Sequence, residues 1–250
     1  MHRFFDPSPE VVGGRLRLPK SEARHAVSVL RVREGERVTA LDGAGGEWLC
    51  EVGERGRRDV ELGVLESRRH ERPAHRLTLV QAIVKGKAME LILQKATELG
   101  ATRIVPLIVD RSVARPDPAE LQAKLAKWRT IAVESIKQCG AFWLPTIDSP
   151  CGVSEFLSRS DDVDLSLIAS LGEGIEDTRT VFQEFRKRTG VNPSSASIWI
   201  GPEGDFSPSE LEAIQASGVA GVSLGPLTLR SETAAICGLA IVGAELRATD

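Results

Sequence analysis

From residue 77 onward, short apolar stretches alternate with segments whose apolar residues recur at helical spacing. Leu77–Ile83 is predicted to be a strand, and Gly100 ends the helix that follows it. The apolar positions of that helix are Met89, Ile92, Leu93, Ala96 and Leu99. Further strands are predicted at Ile104–Val109, Leu165–Ala169, Ser197–Ile200 and Gly221–Leu224. Alternating strands and helices predict an α/β fold with a parallel sheet and helices on both of its faces.

A long helix is predicted after residue 116, between two of these strands. Asp117 is placed to cap it, and Pro118 suits its first position. The residues expected on its buried face are Leu121, Leu125, Trp128, Ala132, Ile136 and Cys139.

Residues 10–66 follow a different pattern, with short strands and glycine-rich turns. Strands are predicted at Arg37–Leu41, Trp48–Val52 and Val60–Leu65, and one helix at Ser21–Leu30. This pattern is typical of a small β-barrel. The polar run Glu66–Arg76 is the best candidate for a linker to the α/β region.

Composition excludes several classes of protein. An apolar fraction of 42% with 27% charged residues is ordinary for a folded chain, which argues against wholesale disorder. The formal net charge of −3 argues against binding nucleic acid through bulk charge alone. The scattered cysteines predict no structural metal, and the absence of a signal-peptide core or a long apolar run predicts a cytoplasmic location.

The stretch Ile198–Glu210 is the first candidate for function. It is predicted to run from a strand through a tight loop into a helix, where Ser207, Pro208 and Glu210 fit a capping box. Gly201 and Gly204 in the loop let a backbone approach a ligand closely, although a plain strand-to-helix turn would also explain the Gly-Pro-x-Gly pattern. Loops at the carboxyl ends of parallel strands are where α/β proteins bind ligands.

The stretch Leu224–Ala234 is the second candidate and again joins a predicted strand to a helix. Ser231 or Thr233 can cap that helix, and Glu232 in its first turn suits the helix dipole, so a purely structural role explains this glutamate as well. Arg230 opposes the dipole, which favours an anion or a developing negative charge as its partner.

Several familiar motifs are absent or unsupported. The sequence holds neither a Gly-x-Gly-x-x-Gly fingerprint nor a phosphate-binding P-loop. Gly221–Gly225 matches Gly-x-Ser-x-Gly, but Pro226 follows it and no histidine lies beyond His75. A Ser-His-Asp triad is therefore not expected.

Motifs along nearly the whole chain form an ordered set. They are Arg3-Phe4-Phe5, His25, Val29-Leu30-Arg31, Asp42-Gly43, Lys85-Gly86, Met89-Glu90, Gln94-Lys95-Ala96-Thr97-Glu98-Leu99-Gly100, Pro106, Arg111-Ser112, Trp128, Glu134, Gln138-Cys139-Gly140, Ile200-Gly201-Pro202-Glu203-Gly204, Leu224-Gly225-Pro226 and Leu229-Arg230-Ser231-Glu232-Thr233-Ala234. In this order they resemble the RsmE family of ribosomal RNA small-subunit methyltransferases, of the SPOUT class. Leu227 departs from the pattern, because the family often has a basic residue there.

The resemblance implies a PUA-like RNA-binding domain over residues 1–72 and a SPOUT methyltransferase domain over residues 73–250 with a trefoil knot. It implies a homodimer that uses S-adenosylmethionine, without a metal, to methylate N3 of one uridine in small-subunit (16S) ribosomal RNA. Such a reaction must accept the N3 proton and stabilise negative charge on the base. Arg230 is the candidate stabiliser, and Glu232 or Glu98 the candidate proton acceptor.

Two further sets of residues follow from the resemblance. The expected cofactor-binding residues are Gly201, Glu203, Gly204, Leu224, Gly225, Leu229 and Ala234. The candidate RNA contacts are Arg3, Lys20, Arg24, His25, Arg31, Lys85, Lys87, Arg111 and Arg115. Two alternatives stay open: a knotted methyltransferase that acts on another RNA or base, and a non-catalytic RNA-binding assembly factor.

Overall fold

The computed structural model describes residues 1–56, 59–112, 117–159, 162–170 and 175–248, which fall into two compact units. The first unit comprises Met1–Arg72 and Val133–Leu144, and the second comprises Pro73–Ala132 and Pro145–Asp250. Residues 133–144 were expected in the second domain on sequence grounds, but they belong to the first unit.

The first unit contains a six-stranded sheet in the order β1-β4-β5-β6-β3-β2. Its strands are β1 (His2–Phe5), β2 (Val11–Val12), β3 (Arg15–Arg17), β4 (Arg37–Leu41), β5 (Gly46–Arg55) and β6 (Val60–Arg69). Among its described strands, all pairings are antiparallel except β1 with β4. The strands pack on a core that includes Phe4, Leu16 and Leu62, which are fully buried.

The predicted linker is wrong at both of its ends. Glu66–Arg69 form the end of β6, and Arg76 begins the next strand. The pairing of β6 with β5 extends as far as Arg69, which lies opposite Gly46. Strand pairing is made by backbone hydrogen bonds, so polar side chains that face solvent do not prevent it.

The predicted helix at Ser21–Leu30 forms, but with a change of geometry halfway. Helix α1 (Lys20–His25) is followed by a π-helical turn over Ala26–Leu30. The turn ends at Arg31, whose φ of 53° lies in the left-handed region. Single-turn π segments are frequent at functional sites, so this turn is of interest for the basic residues around it.

The end of a long helix secures residues 133–144 within the first unit. Helix α3 (Pro118–Cys139) has Lys137 near its end, and Lys137 Nζ lies 2.9 Å from Glu22 Oε1. Arg3 Nη1 donates to the carbonyl oxygens of Lys137 and Gln138 at 3.1 and 3.2 Å. These contacts are polar and join residues far apart in sequence, so apolar periodicity could not predict them.

The predicted buried face of α3 is partly confirmed. Leu125, Trp128, Ala132 and Ile136 are buried, whereas Leu121 is half-buried and Cys139 is exposed. Cys139 is the last helical residue, and the carbonyl oxygens beside it, those of Lys137 and Gln138, accept hydrogen bonds from Arg3.

The second unit contains an eight-stranded sheet, and every pairing among its described strands is parallel, as predicted. Its strands are β7 (Arg76–Ala82), β8 (Arg103–Ile108), β9 (Thr146–Ile147), β10 (Cys151–Gly152), β11 (Leu165–Ala169), β12 (Glu176–Asp177), β13 (Ser195–Ile200) and β14 (Ala220–Ser223). Their order is β10-β8-β7-β13-β11-β14-β12, with β9 beside β8.

Helices cover both faces of this sheet. They are α2 (Gly86–Glu98), part of α3, α4 (Val153–Ser158), α5 (Thr178–Thr189), α6 (Pro208–Ala216) and α7 (Ser231–Arg247). Trp199 packs with Phe156 of α4 and Ile214 of α6, whereas Ile198 on the opposite face lies against Gly238 of α7. Neighbouring side chains of a strand point to opposite faces, which explains this division.

No helix in the described ranges is long and apolar enough to cross a membrane.

Candidate functional site

A cavity of about 140 Å³ opens at the carboxyl edge of the second-unit sheet, the edge at which its parallel strands end. Strands β11, β13 and β14 are neighbours there in the order β13-β11-β14, and the residues at and after their ends form its wall. The lining residues are Ala169, Ser170, Ile200, Gly201, Pro202, Glu203, Asp205, Leu224, Gly225, Leu227, Thr228, Leu229, Ser231 and Ala234. Both loops selected from the sequence therefore meet at one cavity, where α/β sheets bind ligands.

The first loop, residues 201–207, is held by its own hydrogen bonds. Asp205 N donates to Pro202 O at 2.9 Å, and Phe206 N donates to Asp205 Oδ1 at 2.8 Å. The predicted capping box at the start of α6 is confirmed, with Ser207 and Glu210 bonded reciprocally. Asp205 has a φ of 59°, a left-handed conformation that aspartate tolerates better than most residues.

The second loop, residues 224–230, is held more loosely. Gly225 has a φ of 122°, a conformation that side-chain-bearing residues rarely adopt, and its N–H donates to Ser223 Oγ at 3.2 Å. Among the described residues, the backbone N–H groups of Leu227, Thr228 and Leu229 have no hydrogen-bond acceptor. These peptide groups line or flank a cavity, so they are available to a ligand.

The predicted caps of α7 are wrong. The N-cap residue is Arg230, which makes no side-chain capping bond, and Ser231 is the first helical residue. The Ser231 hydroxyl instead donates to the carbonyl oxygen of Gly201 at 2.8 Å. Packing of α7 beside β13 brings that carbonyl within reach, and sequence distance hides this partner.

The charged side chains among the described residues that line the cavity are both acidic. Glu203 and Asp205 are exposed carboxylates, and none of the described lining residues is Lys, Arg or His. A cavity of this kind favours a cationic or neutral ligand over a phosphate-bearing one. Apolar lining comes from Ile200, Leu224 and Leu229.

The structure brings six of the seven predicted cofactor-binding residues together. Gly201, Glu203, Leu224, Gly225, Leu229 and Ala234 line the cavity. Gly204 does not, and it lies instead against Arg111, whose Nη1 donates to Gly204 O at 3.1 Å. Gly204 follows Glu203 in a tight turn, and this change of chain direction turns Gly204 away from the cavity.

The three candidate catalytic residues are not all near the cavity. Arg230 is exposed and adjoins the lining residue Ser231, and its guanidinium makes no hydrogen bond or ion pair within the described ranges. Glu232 is half-buried in the first turn of α7. Glu98 ends α2 just before the chain returns to the start of β7, where Thr102 N donates to Leu77 O.

The position of Glu98 removes it from the site. The amino ends of β7 and β8 lie at the edge of the sheet opposite the cavity, and Glu98 lies at that edge. Its carboxylate is 2.7 Å from Lys95 Nζ, an i,i+3 pair on the helix surface.

The candidate RNA contacts of the first unit lie around α1 and the π-helical turn, except for Arg3. Lys20, Arg24 and Arg31 are exposed, and His25 is half-buried. Arg3 is half-buried and binds the end of α3, as described above, so its guanidinium already has a structural role.

The candidate RNA contacts of the second unit lie at the carboxyl edge. Lys85 and Lys87 are exposed at the start of α2, directly after β7, and Arg111 is exposed after β8. They share this edge with the cavity because all these strands are parallel. Arg115 lies outside the described residues.

Several residues of the site were missed by sequence reasoning. Asp205 and Ser170 line the cavity, and Gln81 lies behind it and donates a hydrogen bond to the lining residue Ser231. Asp205 could have been selected from the sequence, because it is a charged residue within a glycine-rich loop. A single glutamine within the apolar stretch Leu77–Ile83 was the only signal for Gln81.

Two family models match the chain. The model of an RNA methyltransferase domain matches residues 70–243, and the model of an RNA methyltransferase PUA domain matches residues 18–65.

Curated relatives and solved structures agree with these matches. Ribosomal RNA small subunit methyltransferase E from Mycobacterium bovis is 32% identical over 89% of this chain and 83% of its own length, and that from Synechocystis is 28% identical over 98% and 78%. The crystal structure of a ribosomal RNA small subunit methyltransferase E from Neisseria gonorrhoeae bound to S-adenosyl methionine superposes with a TM-score of 0.84, at 27% identity, covering 98% of this chain and 97% of the other.

Proposed function

Because this chain belongs to the family of ribosomal RNA small subunit methyltransferase E, we propose that it transfers a methyl group from S-adenosylmethionine to N3 of one uridine in small-subunit (16S) ribosomal RNA. The observation that carries the proposal is the cavity at the carboxyl edge, formed by two glycine-bearing loops and lined by carboxylates without a basic residue among its described members.

The residues of the cavity fit S-adenosylmethionine. The cofactor is a cation with an apolar and an aromatic part. The cavity offers carboxylates, apolar side chains and peptide N–H groups that have no acceptor among the described residues. Glu203, Gly201, Leu224, Gly225, Leu229 and Ala234 would hold it. When bound, the cofactor supplies an activated methyl group, so the protein needs neither a metal nor a covalent nucleophile for the transfer.

Arg230 and Glu232 carry the chemistry in this proposal. Uridine N3 bears a proton, which must leave as the nitrogen–carbon bond forms, while the donor carbon–sulfur bond breaks with its electrons on sulfur. Arg230 stabilises the negative charge on the base oxygens, since its guanidinium has no partner in the described ranges. Glu232, beside it, accepts the N3 proton or orients the water that does.

Basic residues hold the RNA in this proposal. Lys85, Lys87 and Arg111 flank the cavity at the carboxyl edge, and Lys20, Arg24, His25 and Arg31 act from the first unit, mainly through phosphates. The target uridine must be unpaired or flipped out of its stack to reach the cavity.

The proposal includes a cytoplasmic homodimer. The sequence predicts a partner copy against the apolar sides of α7 and α3, but those sides are already buried within one chain, as Leu239 and Val242 of α7 and Trp128 of α3 show. The partner copy would therefore contact other surfaces, over the large area that stable homodimers bury. Light scattering at micromolar concentration tests this, and a stable monomer would contradict it.

Mapping of modified bases tests the reaction itself. Small-subunit ribosomal RNA from cells lacking the protein should lose one N3-methyluridine, and return of the wild-type gene should restore it. Loss of a methyl group at another base or in another RNA would replace the proposed substrate. An unchanged RNA together with no binding of S-adenosylmethionine would favour a non-catalytic assembly factor.

A further inference from the structure

A chain of buried hydrogen bonds joins three elements directly behind the cavity. Gln81 at the end of β7 is 0% exposed, and its Nε2 donates to Ser231 Oγ at 3.0 Å. Ser231, the first residue of α7, is 3% exposed and donates to Gly201 O at 2.8 Å. The chain thus connects the loop after β13 with the end of the loop after β14.

The geometry fixes the direction of these bonds. Gln81 Nε2 also donates to Ala82 O at 2.9 Å, and a carbonyl oxygen only accepts, so the amide nitrogen must face both partners. Because Ser231 Oγ accepts from Gln81, its own hydroxyl proton is free to point to Gly201 O. Gln81 therefore orients the bond that holds the first loop.

Gln81 is costly for the fold. Its Oε1 is buried and has no hydrogen-bond partner in the part of the chain that the structure describes. Most of its neighbours on β7, including Leu79 and Val80, are fully buried apolar residues, and an apolar side chain at position 81 would bring no unpaired oxygen of its own, although Ala82 O and Ser231 Oγ would lose a donor. A buried polar group of this kind needs an explanation other than stability.

We propose that Gln81 and Ser231 are positioning residues that set the spacing of the two cofactor loops by holding the Gly201 carbonyl. This inference rests on the proposed function, because it assigns the network to the binding of S-adenosylmethionine. Neither side chain needs to touch the reacting atoms: Ser231 borders the cavity and Gln81 lies behind it.

Two variants and a matched control test the role. Gln81→Leu removes the orienting donor and the unpaired oxygen together, and Ser231→Ala removes the bond to Gly201. Ser197→Ala is the control, because Ser197 is a 3% exposed residue of β13 whose Oγ bonds Ser166 at 2.9 Å and does not line the cavity. Calorimetry with the purified full chain gives the affinity for S-adenosylmethionine, chemical denaturation gives the stability, and amide hydrogen exchange reports on residues 201–207 without ligand.

Binding should weaken in Gln81→Leu without a matching loss of stability. We expect the affinity of Gln81→Leu for S-adenosylmethionine to fall roughly three- to tenfold while its stability changes little, because removal of the unpaired Oε1 offsets the loss of the donor to Ala82 O. Ser231→Ala should lose roughly tenfold in affinity. Exchange at residues 201–207 should speed up in both variants, and Ser197→Ala should keep the wild-type affinity and exchange.

Two results would overturn the inference. One is wild-type affinity and loop exchange in both variants; the other is a loss of affinity in Gln81→Leu that merely follows a loss of stability. If Gln81→Leu does not fold, Ser231→Ala decides by the same criteria. A wild-type chain that fails to bind S-adenosylmethionine would reject the proposed function instead, and the exchange data would still test the positioning role.

Discussion

The two loops that line the cavity are built on opposite principles. The loop of residues 201–207 is closed on itself by bonds among Pro202, Asp205 and Phe206, and by the capping box of α6. The loop of residues 224–230 is anchored near its start by Ser223 and Gly225, and at its end by the helix that follows. Between these anchors the N–H groups of Leu227, Thr228 and Leu229, and then the guanidinium of Arg230, have no partner in the described ranges.

This difference indicates that the first loop shapes the cavity and that the second loop offers polar groups to a ligand. A loop that satisfies its own polar groups keeps its shape without a ligand, whereas unpartnered groups gain most from one. Variants in the second loop should therefore affect binding and chemistry more strongly than variants in the first.

The largest effect is expected from Arg230→Ala in the second loop. Removal of one donor that stabilises developing charge costs roughly a hundred- to thousandfold in rate. Single-turnover methylation at saturating RNA and cofactor should fall by about this factor, with a smaller loss of cofactor affinity. The control is Arg31→Ala in the first unit, which should raise the RNA concentration required and leave the saturated rate nearly intact. A wild-type saturated rate in Arg230→Ala would make Arg230 a residue that only positions RNA.

Gly225→Ala should have the next largest effect. A Cβ at this position would meet no atom within 4 Å, so the change acts only through the φ of 122°. Backbone strain of this kind costs roughly 1–3 kcal/mol, which corresponds to a loss of about five- to 150-fold in affinity if the loop must return to this shape to bind. Calorimetry with S-adenosylmethionine measures it. Unchanged affinity would show that the second loop does not need this conformation in the complex.

Asp205→Asn should have a moderate effect that depends on the charge of the ligand. Asparagine also tolerates the left-handed conformation and keeps the acceptor for Phe206 N, so only the charge is lost. The affinity for S-adenosylmethionine should fall roughly two- to fivefold. The affinity for S-adenosylhomocysteine should fall less, because this ligand lacks the sulfonium charge. Equal losses for both ligands, or a difference that persists at high salt, would argue against a direct electrostatic contribution.

Gly204→Ala should have the smallest effect, below about twofold in cofactor affinity. Its added Cβ would lie 3.5 Å from Arg111 Cβ, an ordinary contact, and the residue does not line the cavity. Gly201→Ala is the matched comparison, because its Cβ would lie 3.0 Å from Asp205 Oδ1 and must displace that side chain. If both variants bind alike, the first loop is softer than its hydrogen bonds indicate.

Local sequence patterns predicted much of this arrangement. The strands Arg37–Leu41 and Leu165–Ala169 match the predicted bounds, and the capping box formed by Ser207 and Glu210 is present. These features depend on interactions between residues within a few positions of one another, so a short stretch of sequence is enough to predict them.

Predictions that needed distant partners were less successful. Glu98 is placed well for a surface pair with Lys95, but the helix carries it to the wrong edge of the sheet. Ser231 is a good N-cap residue by type, yet its hydroxyl serves Gly201. In both cases the side chain has the expected chemistry, and the packing of a helix on the sheet decides where that chemistry is used.

The sequence by itself determined that a parallel sheet would end in two glycine-bearing loops, because periodicity and turn residues act locally. Only the tertiary structure decided which side chains stand behind those loops. Gln81 and Ser231 are 150 positions apart, and they meet because β7 lies beside β13 while α7 packs on both strands. The periodicity of the sequence does not predict such a hydrogen bond, because its two partners are brought together by the packing of distant elements and not by their neighbours in the sequence.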